Sequence, residues 1–231
     1  MNLIMFDIDG TLTATSGADE RCFLRAMSEI FKAAHIDSNW SRYKNVTDEG
    51  IVAEAIEEHT GRPPTEADLF NTRIRFLELM EQEASSRPDL FSEISGAGLM
   101  LEELDSTPNI AVSIATGGWR DSAAIKLRAA GLDLSHLPMA SASDAVSREE
   151  IMTISEGRAS SAHGSVSFNS VVYVGDGVWD FRAARSLGYH FVGVGTGDKA
   201  SKLQSEGSIY VVPDFSDLQS FLGMLETLWK T

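Results

Sequence analysis

The sequence predicts an α/β fold: a doubly wound, mainly parallel, Rossmann-like sheet core with an all-helical cap domain inserted after the first strand. Three observations point to it. Short apolar runs of strand length, at 3–6, 110–115 and 171–174, each end in acids, Gly or Thr, as buried parallel strands do when they deliver polar groups at their carboxyl ends. Between residue 18 and about 94 the apolar period becomes helical, with no strand signal to interrupt it. From 95 onward, strand-like and helix-like stretches alternate. The expected division is therefore 1–17 with 95–231 for the core and 18–94 for the insertion.

The first run is Leu3, Ile4, Met5, Phe6, Asp7, Ile8, Asp9, Gly10, Thr11. Strand alternation places Asp7 and Asp9 on one side of the backbone, with Ile8 toward the core. Two carboxylates this close persist only with a neighbouring cation or a bound proton. Gly10 permits a sharp turn that brings backbone N–H groups beside the acids. Small polar residues up to Gly17 suit a hinge.

Helical spacing follows at Phe23, Met27, Ile30, Phe31 and Ala34, then at Val52, Ala55, Ile56 and His59, then at Phe70, Ile74 and Leu77. Thr47 or Asp48, and Thr65, suit N-caps. The polar loop Arg42, Tyr43, Lys44, Asn45 and Thr47 joins two of these helices. A helix near 96–105 then leads to the strand 110–115, which ends at Thr116, Gly117, Gly118 and runs into a helix at 121–130. A hydroxyl and an open amide at a helix start suit an anion.

A weaker strand is expected at 139–143, and Arg148 opens the next helix. The Ser, Gly and His stretch 157–169 reads as a surface loop, with His163 solvated. The run 171–174 ends at Gly175 and Asp176, and Asp180 lies four positions on, on the same side if a helix begins at once. Strand-like runs at 190–194 and 208–212 and a helix at 217–230 complete the sheet. Lys199 and Lys202 read as solvating a short helix, Asp198 and Asp214 as turn caps, and Trp119, Arg120 and Trp179 as packing or contact residues.

Four strand ends converging at one sheet edge would gather Asp7, Asp9, Asp176 and Asp180 against one Arg. A phosphate could enter that field only with a divalent cation, and all-oxygen ligands select Mg²⁺ over zinc. The chain of 231 residues carries a net charge of −15, which argues against nucleic acid or an anionic membrane as partner. Cys22, the single cysteine, excludes an internal disulfide and is expected to be buried. No apolar run approaches membrane-spanning length, so a cytoplasmic protein is expected.

The Asp7-Ile8-Asp9-Gly10-Thr11 run resembles the first motif of the haloacid dehalogenase-like hydrolase superfamily, most of whose members are magnesium-dependent phosphatases. Strand 110–115 with Thr116 is similar to the second motif, and Gly175, Asp176 and Asp180 to the fourth. Arg148 stands where the third motif has a basic residue, usually Lys, with Arg158 in reserve. The helical insertion resembles the cap of the subclass that includes phosphoglycolate phosphatases and β-phosphoglucomutases.

That resemblance implies that Asp7 attacks phosphorus and binds Mg²⁺. Asp9 would lend its backbone carbonyl to the metal and use its side chain as acid and base. Asp176 and Asp180 would hold the ion or its water. Gly10, Thr116, Gly117 and Arg148 would hold the phosphoryl oxygens of a small phosphorylated substrate, and the 42–47 loop would govern selectivity. A dehalogenase or a phosphonoacetaldehyde hydrolase is disfavoured by Asp9. A phosphomutase and a non-catalytic phosphometabolite binder remain as alternatives, and oligomeric state is not legible.

Overall fold

A computed structural model describes residues 1–32, 36–164 and 166–230. One sheet contains β1 (Asn2–Phe6), β2 (Ile110–Ala115), β3 (Met139–Ala140), β4 (Val171–Gly175), β5 (His190–Val194) and β6 (Val211–Val212). All neighbours pair in parallel, in the order β3, β2, β1, β4, β5, β6. The chain builds outward from β1 through β2 and β3, then returns to the other side of β1 with β4. The order thus switches between β1 and β4, and open sheets leave a crevice at the carboxyl ends of such strands.

Both faces of the sheet are covered, which is why its strands read as continuous apolar runs. Ile4 and Phe6 of β1 face one cluster with α4 (Ala97–Ser106), α5 (Arg120–Ala129) and α9 (Leu218–Leu228). Leu3 and Met5 face the other, with α6 (Arg148–Ala162), α7 (Val178–Ser186) and α8 (Gly197–Glu206).

Between β1 and α4 lie α1 (Ser16–Phe31), α2 (Asp48–Thr60) and α3 (Glu66–Ser86). Thr47 caps α2 by accepting from Gly50 N, and Thr65 and Asp68 form a capping box at the start of α3. Phe23, Met27, Val52, Ile56, Phe76 and Met80 build a third cluster among these helices. It continues toward the sheet through Trp119, fully buried with its ring 5.9 Å from those of Phe23 and Phe76. Trp119 is therefore a packing residue. The chain crosses between the two regions twice, side by side, with Ala14 N donating to Ser92 O at 2.8 Å and Ile94 N to Leu12 O at 2.9 Å.

Several elements depart from expectation. Strand β1 stops at Phe6, so Asp7 and Asp9 lie on the turn beyond it. Helix α6 runs through Gly157 to Ala162, because Ala159 is buried against the sheet, and the loop expected from 157 shrinks accordingly. Strand β6 starts at Val211 because Ser208 N closes the end of α8 on Leu203 O. Phe70 and Ile74 are exposed, since α3 buries the stripe Thr72, Phe76, Leu79 and Met80 instead. Ala34 lies outside the described residues. No helix among them is long and apolar enough to cross a membrane.

Candidate active site

Asp7 follows β1 directly, and its N–H donates to Val174 O at 3.0 Å, locking it beside β4. Asp176 follows β4, and Asp180 occupies the first turn of α7, where its carboxylate accepts from Gly177 N at 2.9 Å. Carboxylate oxygens of Asp7, Asp176 and Asp180 all lie within 4.8 Å of one another. Two glycines permit this approach. A Cβ on Gly10, whose φ is +73°, would fall 1.9 Å from Asp176 Oδ2, and one on Gly175 would fall 2.7 Å from Asp180 Oδ2. The Gly10 N–H itself donates to Thr13 O at 2.7 Å. Gly10 thus contributes close approach and not the open donor expected of it.

Arg148 joins this group from the start of α6. Its Nη1 lies 2.6 Å from Asp180 Oδ1 and 3.7 Å from Asp7 Oδ2, while Nε donates to Val46 O at 3.0 Å. Gly117 makes the room, since a Cβ there would fall 2.5 Å from Arg148 Nη2. Arg158 turns elsewhere, donating to Met139 O and Asp144 together with Arg120, and so fastens the turn after β3. Thr116 is buried beside Asp7.

Burial raises the Asp7 pKa, against the opposing pull of Arg148 and the Thr116 hydroxyl. Burial likewise pushes Asp176 up to about 6 despite Lys199, and Asp180 up to about 8 despite Arg148. Lys199 is not a solvating residue. Its ammonium contacts Asp176, because the turn at Gly195 (φ +153°) lays the start of α8 across the acids. Asp214 caps a turn, accepting from Ser216 N at 2.9 Å.

Among the described residues, Asp7 Oδ1 and Thr11 Oγ1 are buried without a hydrogen-bond partner. A buried carboxylate oxygen left bare is costly. Three converging carboxylates with one oxygen unsatisfied are the donor set of a hard divalent cation such as Mg²⁺.

A second polar cluster escaped the sequence reading. Lys126 of α5, 1% exposed, pairs with Asp9 Oδ2 and with Asp19 Oδ1, the latter at 2.7 Å. Thr15 Oγ1 donates to the other Asp9 oxygen at 2.8 Å. Asp48 accepts from Trp119 N and donates its own N–H to Gly117 O, each at 2.8 Å, seating α2 on the turn after β2. Burial raises Asp19 to about 6 against Lys126, and Asp48 to about 8. Burial disfavours the charged Lys126, yet Asp19, Asp9 and Asp48 outweigh it and hold its proton firmly.

A cavity of about 200 Å³ borders both clusters. Its sheet-side wall includes Asp7, Asp9, Thr116, Gly117, Arg148 and Asp176; its opposite wall includes Asp19, Glu20, Phe23, Trp40, Thr47 and Asp48. Of the 42–47 loop, Val46 and Thr47 reach this cavity. Tyr43, Lys44 and Asn45 line a neighbouring groove, and Arg42 is held by Glu58. Trp179 lines the mouth, with the Arg148 guanidinium 5.9 Å from its ring centre.

Solved structures share this architecture. A hydrolase from Pseudomonas syringae superposes with a TM-score of 0.75 at 21% identity, over 97% of this chain and 99% of that one. A candidate β-phosphoglucomutase from Bacteroides vulgatus gives 0.70 at 15% identity, over 100% and 91%. CbbY from Rhodobacter sphaeroides, in complex with phosphate, gives 0.68 at 17%, over 94% and 96%. Among curated proteins, none matches the chain in sequence. The family model for haloacid dehalogenase-like hydrolases matches residues 4–194, and it is to that family that the chain belongs.

Proposed function

We propose that the protein is a magnesium-dependent phosphatase that hydrolyses a small phosphorylated metabolite through an aspartyl-phosphate on Asp7, with residues 18–94 as its lid. The observation that carries this reading is Asp7 itself, buried between Asp176, Asp180 and Arg148 with Oδ1 free. Asp7, Asp176, Asp180 and the Asp9 carbonyl would hold Mg²⁺, which when bound offsets the charge of acids and phosphate. An Asp7 oxygen attacks phosphorus while the departing ester oxygen takes a proton from Asp9. Asp9 then accepts a proton from the water that attacks the aspartyl-phosphate, releasing phosphate and restoring Asp7. Arg148, the Thr116 hydroxyl and Gly117 steady the phosphoryl oxygens, each well-placed donor contributing roughly 3 kcal/mol.

Lys126 and Thr15 each hold one carboxylate oxygen of Asp9. A phosphomutase would use the same groups, but it must also hold a second phosphate, and the described residues of the lid wall include no cation for one. The test is Mg²⁺-dependent release of phosphate from p-nitrophenyl phosphate. Wild type should turn over and Asp7→Asn should not. Retention of more than about a tenth of the activity by that variant would remove Asp7 as nucleophile.

A further inference from the structure

The two walls of the cavity differ in charge, and the difference constrains what the lid accepts. On the sheet side, Arg148 and Lys199 are engaged by Asp180 and Asp176. On the lid side, the acidic lining residues are Asp19, Glu20 and Asp48, and the aromatic ones Phe23 and Trp40. Among the described residues, no Lys, Arg or His of the lid lines the cavity. Lys126 is already shared between Asp9 and Asp19. The arginines of α1 are turned outward, Arg21 to Glu83 and Arg25 to Glu29. Glu20 has neither a hydrogen bond nor an ion pair among the described residues, although it lines the cavity. That the cavity takes a ligand rests on separate ground: Asp7, which lines it, is 3% exposed and keeps an oxygen with no hydrogen-bond partner.

An anionic leaving group, carrying a carboxylate or a second phosphate, would be desolvated against these acids with no donor to meet it. An ammonium would meet a free carboxylate in a lining that also holds the Phe23 and Trp40 rings, and carboxylates and aromatic rings together bind organic cations. We infer, resting on the phosphatase reading, that the substrate is the phosphate monoester of a small amino alcohol, with Glu20 and the Phe23 and Trp40 rings receiving its ammonium group. Glu20 is then a specificity determinant, separate from the groups that act on phosphorus.

The test compares kcat/KM with Mg²⁺ for three matched esters, aminoethyl, hydroxyethyl and carboxymethyl phosphate, with p-nitrophenyl phosphate as reference. Wild type should prefer the aminoethyl over the carboxymethyl ester by about tenfold or more, the hydroxyethyl ester falling between. Glu20→Gln should shrink that ratio several-fold, and Glu20→Lys should reverse its direction. The readout is the ratio within each variant, so a general loss of activity does not imitate it. Turnover of p-nitrophenyl phosphate with equal or greater preference for the carboxymethyl ester would overturn the amino-alcohol inference alone, as would a ratio unmoved by both substitutions. No turnover of any ester would overturn the phosphatase reading and the inference with it.

Discussion

Two acid clusters meet at the cavity, where Asp9 of one stands beside Asp7 of the other; each has three aspartates and one cation, and they differ in what is left over. Around Lys126, both oxygens of Asp9 are taken, Asp19 is paired, and Asp48 is bonded to the backbone at Trp119. Around Arg148, Asp7 keeps a buried oxygen with no partner, and three carboxylates crowd within 4.8 Å. A fully satisfied buried network rigidifies; an unsatisfied one is held in reserve for a ligand. Charge alone does not separate the two clusters. Hydrogen-bond accounting does.

Substitutions can break that contrast. The largest effect belongs to Asp7→Asn, which should cut turnover by about 10³-fold or more, while metal-free thermal stability holds or rises because one crowded carboxylate has gone. Arg148→Ala should cost about 10²-fold in kcat/KM, whereas Arg158→Ala, which touches Asp144 and not the cavity, should stay within about twofold. A comparable loss from Arg158→Ala would reinstate it as the phosphate-facing cation. Lys126→Met should chiefly lower stability, by about 3–5 kcal/mol, because it strands Asp9 and Asp19 in a buried site. For a chain of this size that is a melting-temperature fall of roughly 10 °C.

The smallest effect is a pH dependence. Asp176 and Asp180 bind protons more tightly folded, at about 6 and about 8, than at the ordinary 3.8. From about pH 4 to 8 the folded metal-free protein therefore holds more protons than the unfolded chain, and its stability from these groups falls as pH rises. Magnesium needs the ionised carboxylates. Its stabilisation should thus grow from pH 6 to pH 8, by a few degrees in melting temperature, and a gain that is equal at both values would contradict the cluster's role.

Much of this arrangement was legible because buried parallel strands announce themselves. The apolar runs before Asp7 and Asp176 located both acids, and Arg148 was visible as the first residue of a helix. The second cluster was not, since Asp19, Asp48 and Lys126 come from three helices far apart in sequence, whose meeting depends on tertiary packing. A lysine flanked by Ile125 and Leu127 carries no sign that it will be buried. Lys199 was misread for a related reason: a charge on a short helix looks solvated until the glycine turn before it fixes which way the helix starts. Phe70 and Ile74 show the limit of periodicity, which finds a helix but not which of two apolar stripes will be covered.

Covalent capture by Asp7 is most directly tested by quenching the enzyme in acid during steady-state turnover with Mg²⁺, then reducing with borohydride and sequencing by mass spectrometry. An aspartyl-phosphate is reduced to homoserine, so the account predicts homoserine at position 7 and unaltered aspartate at position 9. Homoserine at position 9, or at neither position in enzyme trapped while turning over, would contradict it.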